Sequence, residues 1–372
     1  MEATPKKKPN RFLSIAFLLL MIGATVYIVF RDTSLSDVWS TIVSVDPFWL
    51  SLAAAASLFS TFLLGYALFI SLRRLCGQRV SLRRCLDYAL VGSYYSAITP
   101  SSTGGQPMQL YEMCAGDDGL DVSHASLALL LVNVAYQTAV LLLPAGLTVL
   151  RFRFVTENVH GFQWFLLFGI FVSLFIILFI VFAMFSKTFV YTVCHGVIHF
   201  LHRIHIVKNE EKVLAKADAH IGTYRAGAKT FLSKPLVFVE VFLVYLVQMC
   251  ALFSISYFVY RAFGLSEYAL IDVLALQSVL YLAVCFLPVP GGAGATETAF
   301  LSLFRTMFPS GMIVSAMLLS RLVSFYLILL ISGVSCVALQ LRRSRHAAPP
   351  APAPADPPEA PADVPERPAD IP

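Results

Sequence analysis

Charged residues are scarce in this sequence, and their scarcity excludes most soluble folds. Only 13% of the 372 residues are Asp, Glu, Lys or Arg, whereas 58% are hydrophobic. An average soluble domain carries about 25% charged residues. The composition therefore predicts a polytopic membrane protein.

Signatures of familiar catalytic, metal-binding and nucleotide-binding sites are also missing. The seven cysteines are scattered singly without C-x-x-C spacing, and we interpret them as small apolar filler. The chain contains no G-x-x-x-x-G-K-[ST], G-x-S-x-G or H-E-x-x-H motif. No Lys/Arg cluster is interleaved with aromatic residues. We therefore expect no metal, no cofactor, no direct nucleic-acid partner and no ATP-driven pumping by this chain alone.

Six apolar runs are long enough to cross a bilayer, which takes about 20 helical residues. They are 12–30, 48–72, 126–150, 162–185, 236–260 and 313–339. The first run follows basic residues, but it is long and lacks a cleavage site of small residues. It therefore predicts a retained helix and not a signal peptide. The expected fold is an all-α polytopic membrane protein with about six full spans.

Two further apolar segments are too short and too broken to span. Segment 86–98 is followed by "TPSSTGGQPMQLYE", and segment 274–287 is followed by "PVPGGAGATE". A helix of about 14 residues rises about 21 Å, less than the roughly 30 Å of the hydrocarbon core. We therefore predict two re-entrant helical hairpins, at about 86–112 and about 272–306.

The distribution of basic residues supports this topology. Four regions hold 21 of the 27 Lys and Arg residues: 6–11, 73–84, 187–234 and 342 onward. With two re-entrant hairpins all four regions lie on one side, which the positive-inside rule makes the cytoplasm. We expect a plasma-membrane protein with both termini cytoplasmic.

The predicted order is span, span, hairpin, span, and the same order follows with opposite orientation. This is an inverted-topology repeat, an arrangement found in secondary transporters with a site near the midplane. The predicted divisions are a cytoplasmic N-terminus 1–11, a first repeat 12–150 and a second repeat 151–342. The second repeat includes a cytoplasmic segment 187–235, and a disordered Pro/Ala-rich tail 343–372 follows.

Both hairpins turn at proline and paired glycine, Gly104-Gly105 in the first and Gly291-Gly292 in the second. Non-helical backbone in a membrane leaves polar groups unpaired unless protein or a water-filled cavity satisfies them. Helix N-termini at such turns offer N–H groups to phosphate. The repeated break favours a polar cavity; the alternative is two surface loops that line nothing.

Glu297 and Arg321 are the charges that we expect within the membrane. A charge at that depth costs at least about 2.5 kcal/mol, so such residues pair or face a cavity. Either the two form a pair, or Arg321 holds a lipid phosphate that Glu297 orients. A purely structural salt bridge locking the second hairpin is the alternative, and both roles are compatible.

Further polar residues surround the predicted cavity. Gln106, Gln109 and Tyr111 follow the first turn and are candidates to line it. Asn133 and Gln137 share one face of the third span, where we expect interhelical hydrogen bonds more than ligand contacts. We expect Glu240 to lie at the membrane–water interface. The histidines of 195–205 are interpreted as part of an amphipathic helix on the inner membrane surface, in preference to a metal site.

"TPSSTGGQPMQLY" and "LPVPGGAGATE", followed by the span that contains Arg321, resemble the membrane domain of lysylphosphatidylglycerol synthetases. The resemblance covers about residues 10–342. That bifunctional family aminoacylates phosphatidylglycerol and flips the product outward, and its membrane domain is implied to be the flippase. The largest soluble segment here has about 49 residues, below the size typical of a folded domain. We therefore expect the synthase half to be absent.

One departure from the family pattern concerns the first hairpin. Related sequences often read Gly-Gly-Glu-Pro with an Arg shortly after, whereas Gln106 and Gln109 stand at those positions here. The hairpin loses a carboxylate and a cation together, which leaves the headgroup open.

The leading hypothesis is a translocase of an anionic or aminoacylated, phosphatidylglycerol-like lipid, whose headgroup is the partner. The binding residues are expected to be Arg321, Glu297, Gly291, Gly292, Gly104, Gly105, Gln106, Gln109 and Tyr111, with no catalytic residue.

Two other function classes stay open. The first is a phosphatidylglycerol lysyltransferase, which confers resistance to antimicrobial peptides, or its membrane subunit with a separate aminoacyltransferase. The second is a scaffold for a cell-envelope glycosyltransferase. A homo-oligomer is compatible with each reading.

Overall fold

A computed structural model describes residues 43–115, 119–159, 163–185 and 233–346, with isolated positions at 36, 39–40, 192, 196 and 198–199. All regular elements in these ranges are helical. The chain divides into a main unit, Met1–Cys336, and a terminal unit, Val337–Pro372. Every contact described below lies within the main unit.

The described ranges contain eleven α-helices, interrupted by two 3₁₀ turns and two π-helical segments. The helices are α1 Pro47–Ile70, α2 Leu82–Ile98, α3 Gly105–Ala115, α4 Val122–Leu150, α5 Phe152–Asn158, α6 Gln163–Phe185, α7 Pro235–Ala262, α8 Leu270–Val284, α9 Ala295–Leu303, α10 Ile313–Arg321 and α11 Leu327–His346. The 3₁₀ turns are Pro100–Ser102 and Pro290–Gly292, and the π segments are Ser71–Leu75 and Leu322–Tyr326.

Four helical stretches in the described ranges are long and apolar enough to cross a membrane. They are Pro47–Leu75, Val122–Leu150, Pro235–Ala262 and Ile313–Arg342. They match four of the six predicted spans. Helix α6 has 23 residues and covers the predicted run 162–185. The run 12–30 and most of the segment 187–235 lie outside the described residues, so the full number of spans stays a prediction.

Polar residues just outside the apolar runs begin several helices. The side chain of Asp46 accepts a hydrogen bond from Phe48 N, and Pro47 occupies the first turn of α1. Asp121 caps α4 in the same way by accepting from Ser123 N. The hydrogen bonds from Ser123 hold the pKa of Asp121 below its ordinary value. These caps place the helix starts at the ends of the apolar segments.

Helices α1 and α7 occupy equivalent positions in the two predicted repeats, and they pack antiparallel. At one end, Asp46 N donates to Ala262 O at 2.9 Å. At the other end, the Lys234 ammonium donates to the carbonyl of Arg74 at 2.8 Å. Opposite orientation of equivalent helices is what an inverted repeat requires.

The predicted interfacial residue Glu240 lies at this second end of the helix pair. It forms an ion pair with Arg74, and both side chains are partly exposed. The position agrees with an interfacial role.

Each predicted hairpin is present as a pair of packed helices, α2 with α3 and α8 with α9. Their 3₁₀ turns have the same conformation. Both begin at a proline, both have positive φ at the next two residues, and in both the following helix begins five residues after the proline. The two turns contact each other. The two halves therefore have the same turn conformation where they meet, and their inverted topology in the membrane stays a prediction.

Buried apolar side chains form two clusters of unequal size. The larger one takes its residues from α1, α4, α7, α8, α9 and α10, and it includes the second hairpin. The smaller one holds the first hairpin through Tyr88 of α2 and Met113 of α3, packed against Ala128 of α4. The second hairpin is thus embedded in a larger apolar core than the first.

Cysteine labelling tests whether the hairpins are re-entrant. In a background without the seven native cysteines, Arg79→Cys and Ala115→Cys flank the first hairpin, while Ser266→Cys and Ser310→Cys flank the second. All four positions are exposed. A membrane-impermeant thiol reagent is expected to reach the first two from the cytoplasm and the last two from outside. Flanks of one hairpin that are reached from opposite sides would contradict re-entry.

Candidate functional site

The two turns contact each other, and the charged residues beside them lie partway along the spans. Ser57 of α1 is buried, and its hydroxyl donates to Val323 O at 2.8 Å. Ser57 lies ten residues after Pro47, and Val323 lies ten residues after Ile313. Both residues therefore lie about a third of the way along helical stretches of 29 and 30 residues. Arg321 comes two residues before Val323, so it lies at this depth.

The predicted pair of charges is present. Arg321 Nε donates to Glu297 Oε1 at 2.8 Å, and Arg321 Nη2 donates to Gly291 O at 2.9 Å. The guanidinium carbon lies 4.6 Å from the centre of the Phe325 ring. Glu297 is 1% exposed and Arg321 is 9% exposed. One arginine thus neutralises a buried carboxylate and satisfies a carbonyl of the broken turn.

The backbone around Arg321 departs from a regular α-helix. The π segment Leu322–Tyr326 begins immediately after it. A π turn disturbs the normal carbonyl ladder, and such bulges occur often at functional sites. Here the hydroxyl of Ser57 satisfies the carbonyl of Val323 within that segment. Residues 321–325 therefore supply the buried guanidinium, the aromatic ring of Phe325 that packs against it, and the contact to α1.

Gly291 is where the second turn is most tightly enclosed. Its φ is +58°, a region that favours glycine. A Cβ atom there would lie 2.4 Å from Cζ of Phe325 and 3.4 Å from Ala97 O of α2. A side chain at this position would collide with Phe325 and press on the first hairpin.

The glycines of the first turn allow α2 and α3 to approach closely. A Cβ atom on Gly105 would lie 1.9 Å from Ser96 Oγ and 2.7 Å from Gly92 O. Gly104 N donates to Thr99 Oγ1 at 2.9 Å. Close packing of the hairpin accounts for both glycines, and their contact with a headgroup stays a prediction.

The three polar residues predicted to line the cavity have different surroundings. Gln106 is exposed beside the first turn, and its Oε1 accepts from Asn133 Nδ2 at 3.3 Å. This is an interhelical hydrogen bond of the kind predicted for Asn133. Gln109 packs against Gly92 of α2, and Tyr111 is exposed. Gln106 therefore lies nearest to the meeting turns, and a ligand role for all three stays a prediction.

Sequence reasoning missed a group of tyrosines in the interior. The hydroxyl groups of Tyr136 in α4 and Tyr281 in α8 are in hydrogen-bond contact. The ring of Tyr245 in α7 lies 5.4 Å from that of Tyr136. These contacts tie the first repeat to the second hairpin. The sequence did contain a signal for this group. Tyrosine is enriched at the membrane interface, so tyrosines well inside an apolar run are unusual and indicate an interior contact.

A second missed contact involves Arg151, which follows the last residue of α4. It forms an ion pair with the buried Asp272 in the first turn of α8. Asp272 Oδ2 also accepts from Ala269 N at 3.1 Å and so helps to begin α8. The second hairpin is therefore anchored at the start of α8 as well as at its turn.

The described ranges contain no group of three or more His, Cys, Asp or Glu side chains placed to hold a metal ion. Of the histidines in 195–205, His199 alone falls within the part of the chain that the structure describes. The interpretation of that cluster is therefore untested.

The helices and their apolar lengths define an α-helical membrane protein. Residues 11–332 match the family described as "Lysylphosphatidylglycerol synthase TM region", and the chain belongs to that family. It is also similar to a UPF0104 membrane protein of Archaeoglobus fulgidus, with 25% identity over 325 residues. That alignment covers 86% of this chain and 94% of the relative.

The buried charge pair leads to a prediction about stability. Arg321→Met leaves Glu297 buried without its cation and should cost about 3–5 kcal/mol of unfolding free energy. The double variant Glu297→Gln/Arg321→Met leaves neither charge and should recover much of that loss. Unfolding in detergent measures both. The partly exposed pair of Arg74 and Glu240 is the matched control, and Arg74→Met should cost less than about 1 kcal/mol. Equal losses for the two arginines would contradict the prediction.

Substitutions at two glycines with positive φ distinguish the cost of backbone strain from the cost of a steric clash. Gly291→Ala adds strain and a clash with Phe325, whereas Gly264→Ala adds strain alone, because nothing lies within 4 Å of a Cβ there. We expect Gly291→Ala to lower the unfolding temperature clearly more than Gly264→Ala does. The double variant Gly291→Ala/Phe325→Ala should recover part of the difference. Similar shifts for both glycines would show that the close approach of Gly291 to Phe325 does not affect stability.

Proposed function

We propose that this protein moves a phospholipid between the two leaflets, and that the headgroup is anionic or aminoacylated and resembles phosphatidylglycerol. The observation that carries the proposal is the contact of two broken-helix turns, with the buried Arg321 of the last span beside them. Membership of the lysylphosphatidylglycerol synthase TM family supports a role in lipid handling. We place the protein in the plasma membrane with both termini in the cytoplasm.

Exposed polar groups at the turns support a water-filled groove. Ser102, Thr103 and Gln106 are exposed at the first turn, and Thr298 is exposed after the second. At this depth, polar groups facing lipid tails would lack partners, which costs several kcal/mol per group. A wet groove removes that cost and gives a headgroup a path while its acyl chains stay in the lipid.

The donors at the turns suit a phosphate. The first N–H groups of α3 and α9 have no partner within their own helices, and helix N-termini attract anions. Arg321 uses two of its five N–H donors for Glu297 and Gly291, so further donors exist for a phosphate oxygen. The structural and the binding roles of Arg321 are therefore compatible.

A second candidate is a membrane subunit for aminoacyl-lipid synthesis, which the name of the family favours. It requires an aminoacyltransferase to supply the chemistry. Incorporation of labelled amino acid from charged tRNA into lipid, with this chain alone, would favour synthesis over transport.

Transport is measured in liposomes that contain the purified protein and a fluorescent phosphatidylglycerol analogue. We expect the protein to accelerate exchange between leaflets relative to protein-free liposomes. Arg321→Lys keeps the charge but loses the planar fork, so it should slow exchange by roughly tenfold. Arg153→Lys, an exposed arginine outside the spans, is the matched control and should leave the rate unchanged.

Folding is checked by size-exclusion profiles before rates are compared. Exchange at the protein-free rate, or equal rates for the wild type, Arg321→Lys and Arg321→Ala across a panel of lipids, would count against the proposal.

A further inference from the structure

One oxygen of the buried carboxylate of Glu297 accepts no hydrogen bond from the protein. Oε1 accepts from Arg321 Nε at 2.8 Å, whereas Oε2 has no hydrogen-bond partner among the residues that the structure describes. Glu297 is 1% exposed, so bulk solvent does not reach it. Buried polar atoms are nearly always hydrogen-bonded, and a charged group without a full set of partners is costly. The free oxygen therefore indicates a donor that comes from outside the protein.

The other helix of the same hairpin provides a direct comparison. Asp272 and Glu297 both occupy the third position of a helix, Asp272 in α8 and Glu297 in α9. An acidic residue there ordinarily accepts from the backbone N–H of the residue that precedes the helix. Asp272 Oδ2 does so, accepting from Ala269 N at 3.1 Å, and the other oxygen pairs with Arg151. Both oxygens of Asp272 are therefore used within the protein.

The backbone conformation of Gly294 accounts for the difference. Gly294 precedes α9 with a φ of +79°, whereas Ala269 precedes α8 in the extended conformation that is usual for a cap. Glycine adopts the left-handed region readily. No hydrogen bond joins Gly294 N to Glu297, so the usual capping partner is not used here. The turn thus begins α9 and leaves Oε2 of Glu297 free.

Unused donors lie within one helical turn of this free acceptor. The first helical hydrogen bond of α9 runs from Thr298 N to Gly294 O at 3.0 Å. The N–H groups of the three residues between them have no partner within the helix. Residues 291–296 are all partly exposed, so a ligand can approach from that side. A molecule with an anionic oxygen and a hydrogen-bond donor close together matches both parts of the arrangement.

We infer that Oε2 of Glu297 accepts a hydrogen bond from the headgroup of the transported lipid, so that the protein prefers headgroups with a hydroxyl or ammonium donor over phosphodiesters that have none. This inference rests on the proposed function and deepens it. The phosphate binds the N–H groups at the start of α9 and the remaining donors of Arg321. The headgroup donor binds the carboxylate, whose other oxygen stays with Arg321.

The test compares phosphatidylglycerol with phosphatidylpropanol, each labelled on the acyl chain, in proteoliposomes. The two lipids have the same phosphodiester charge and the same headgroup carbon skeleton, but phosphatidylpropanol has no hydroxyl group. After subtraction of the rates in protein-free liposomes, the wild type should move phosphatidylglycerol about tenfold faster or more, the size of one hydrogen bond to a charged group.

Phosphatidylethanolamine separates the two kinds of donor, because its headgroup carries an ammonium group and no hydroxyl. We expect the wild type to move it faster than phosphatidylpropanol as well. A rate no higher than that of phosphatidylpropanol would overturn the ammonium part of the inference and leave the hydroxyl part standing.

Glu297→Gln replaces the free acceptor with a donor. Arginine has only donors, so the amide oxygen stays toward Arg321 and the NH2 group takes the place of Oε2. A hydroxyl can still accept from that NH2 group, so the preference for phosphatidylglycerol should fall about fivefold, from a charge-assisted to a neutral hydrogen bond. An ammonium group cannot accept, so the preference for phosphatidylethanolamine over phosphatidylpropanol should fall about tenfold or more. A merely structural role of Glu297 would not change these ratios.

Glu240→Gln is the matched control. Glu240 also pairs one oxygen with Arg74 while its Oε2 has no hydrogen-bond partner in the described ranges, but it lies at the partly exposed start of α7. Both ratios should keep their wild-type values. A wild type that moves none of the lipids would overturn the proposed function. Equal rates for phosphatidylglycerol and phosphatidylpropanol, or ratios that Glu297→Gln leaves unchanged, would overturn the inference while transport stands.

A binding measurement on the wild type covers the case in which Glu297→Gln does not fold. Short-chain dihexanoyl phosphatidylglycerol should raise the unfolding temperature of the detergent-solubilised protein more than dihexanoyl phosphatidylpropanol does at the same concentration, because a ligand stabilises the folded state in proportion to its affinity. Equal shifts for the two lipids would overturn the inference.

Discussion

The hydrogen bonds that Arg321 donates to Glu297 and Gly291 solve two problems of a broken helix in a membrane at once. The break at Pro290–Gly292 exposes a carbonyl at a depth where water is scarce, and the guanidinium satisfies it. The arginine would itself be costly there, and the carboxylate in the first turn of α9 offsets its charge. The charge pair therefore stabilises the break, and each charge of the pair depends on the other.

The two hairpins have the same turn conformation, but different numbers of side-chain contacts join them to the neighbouring helices. The second hairpin has an ion pair at its turn, another from Arg151 to Asp272 at its outer end, and a contact between Tyr281 and Tyr136. The first hairpin packs in the smaller apolar cluster and is joined to α4 by a neutral amide bond. In the proposed translocase, one element would stay fixed while another yields, and the unequal anchoring makes the second hairpin the candidate for the fixed element.

Much of this architecture follows from residue type and segment length. Proline and paired glycine within two short apolar segments predicted where the chain turns in both hairpins, and two charges in apolar surroundings predicted the pair of Glu297 and Arg321. In the first hairpin, however, the positive φ angles fall on Ser101 and Ser102, and Gly104 and Gly105 serve close helix packing instead. The bond from Ser57 to Val323 and the contact of Tyr136 with Tyr281 were not predictable. A hydroxyl group finds its partner through tertiary packing, which no local pattern encodes. Helix α2 begins at Leu82, earlier than its apolar run, because the polar cap of Ser81 lies outside that run.

The pair of α1 and α7 limits which motions could open a path. These helices are joined near both ends, from Asp46 to Ala262 and from Lys234 to Arg74. A relative tilt would break bonds at one end or the other, so the pair acts as a rigid axis between the repeats. A Cβ atom on Gly291 would lie 3.4 Å from Ala97 O, so the two hairpins approach closely at the point where this glycine has no side chain. In the proposed function a headgroup would pass at this junction, because Arg321 binds Gly291 O there and helix α9 begins beside it.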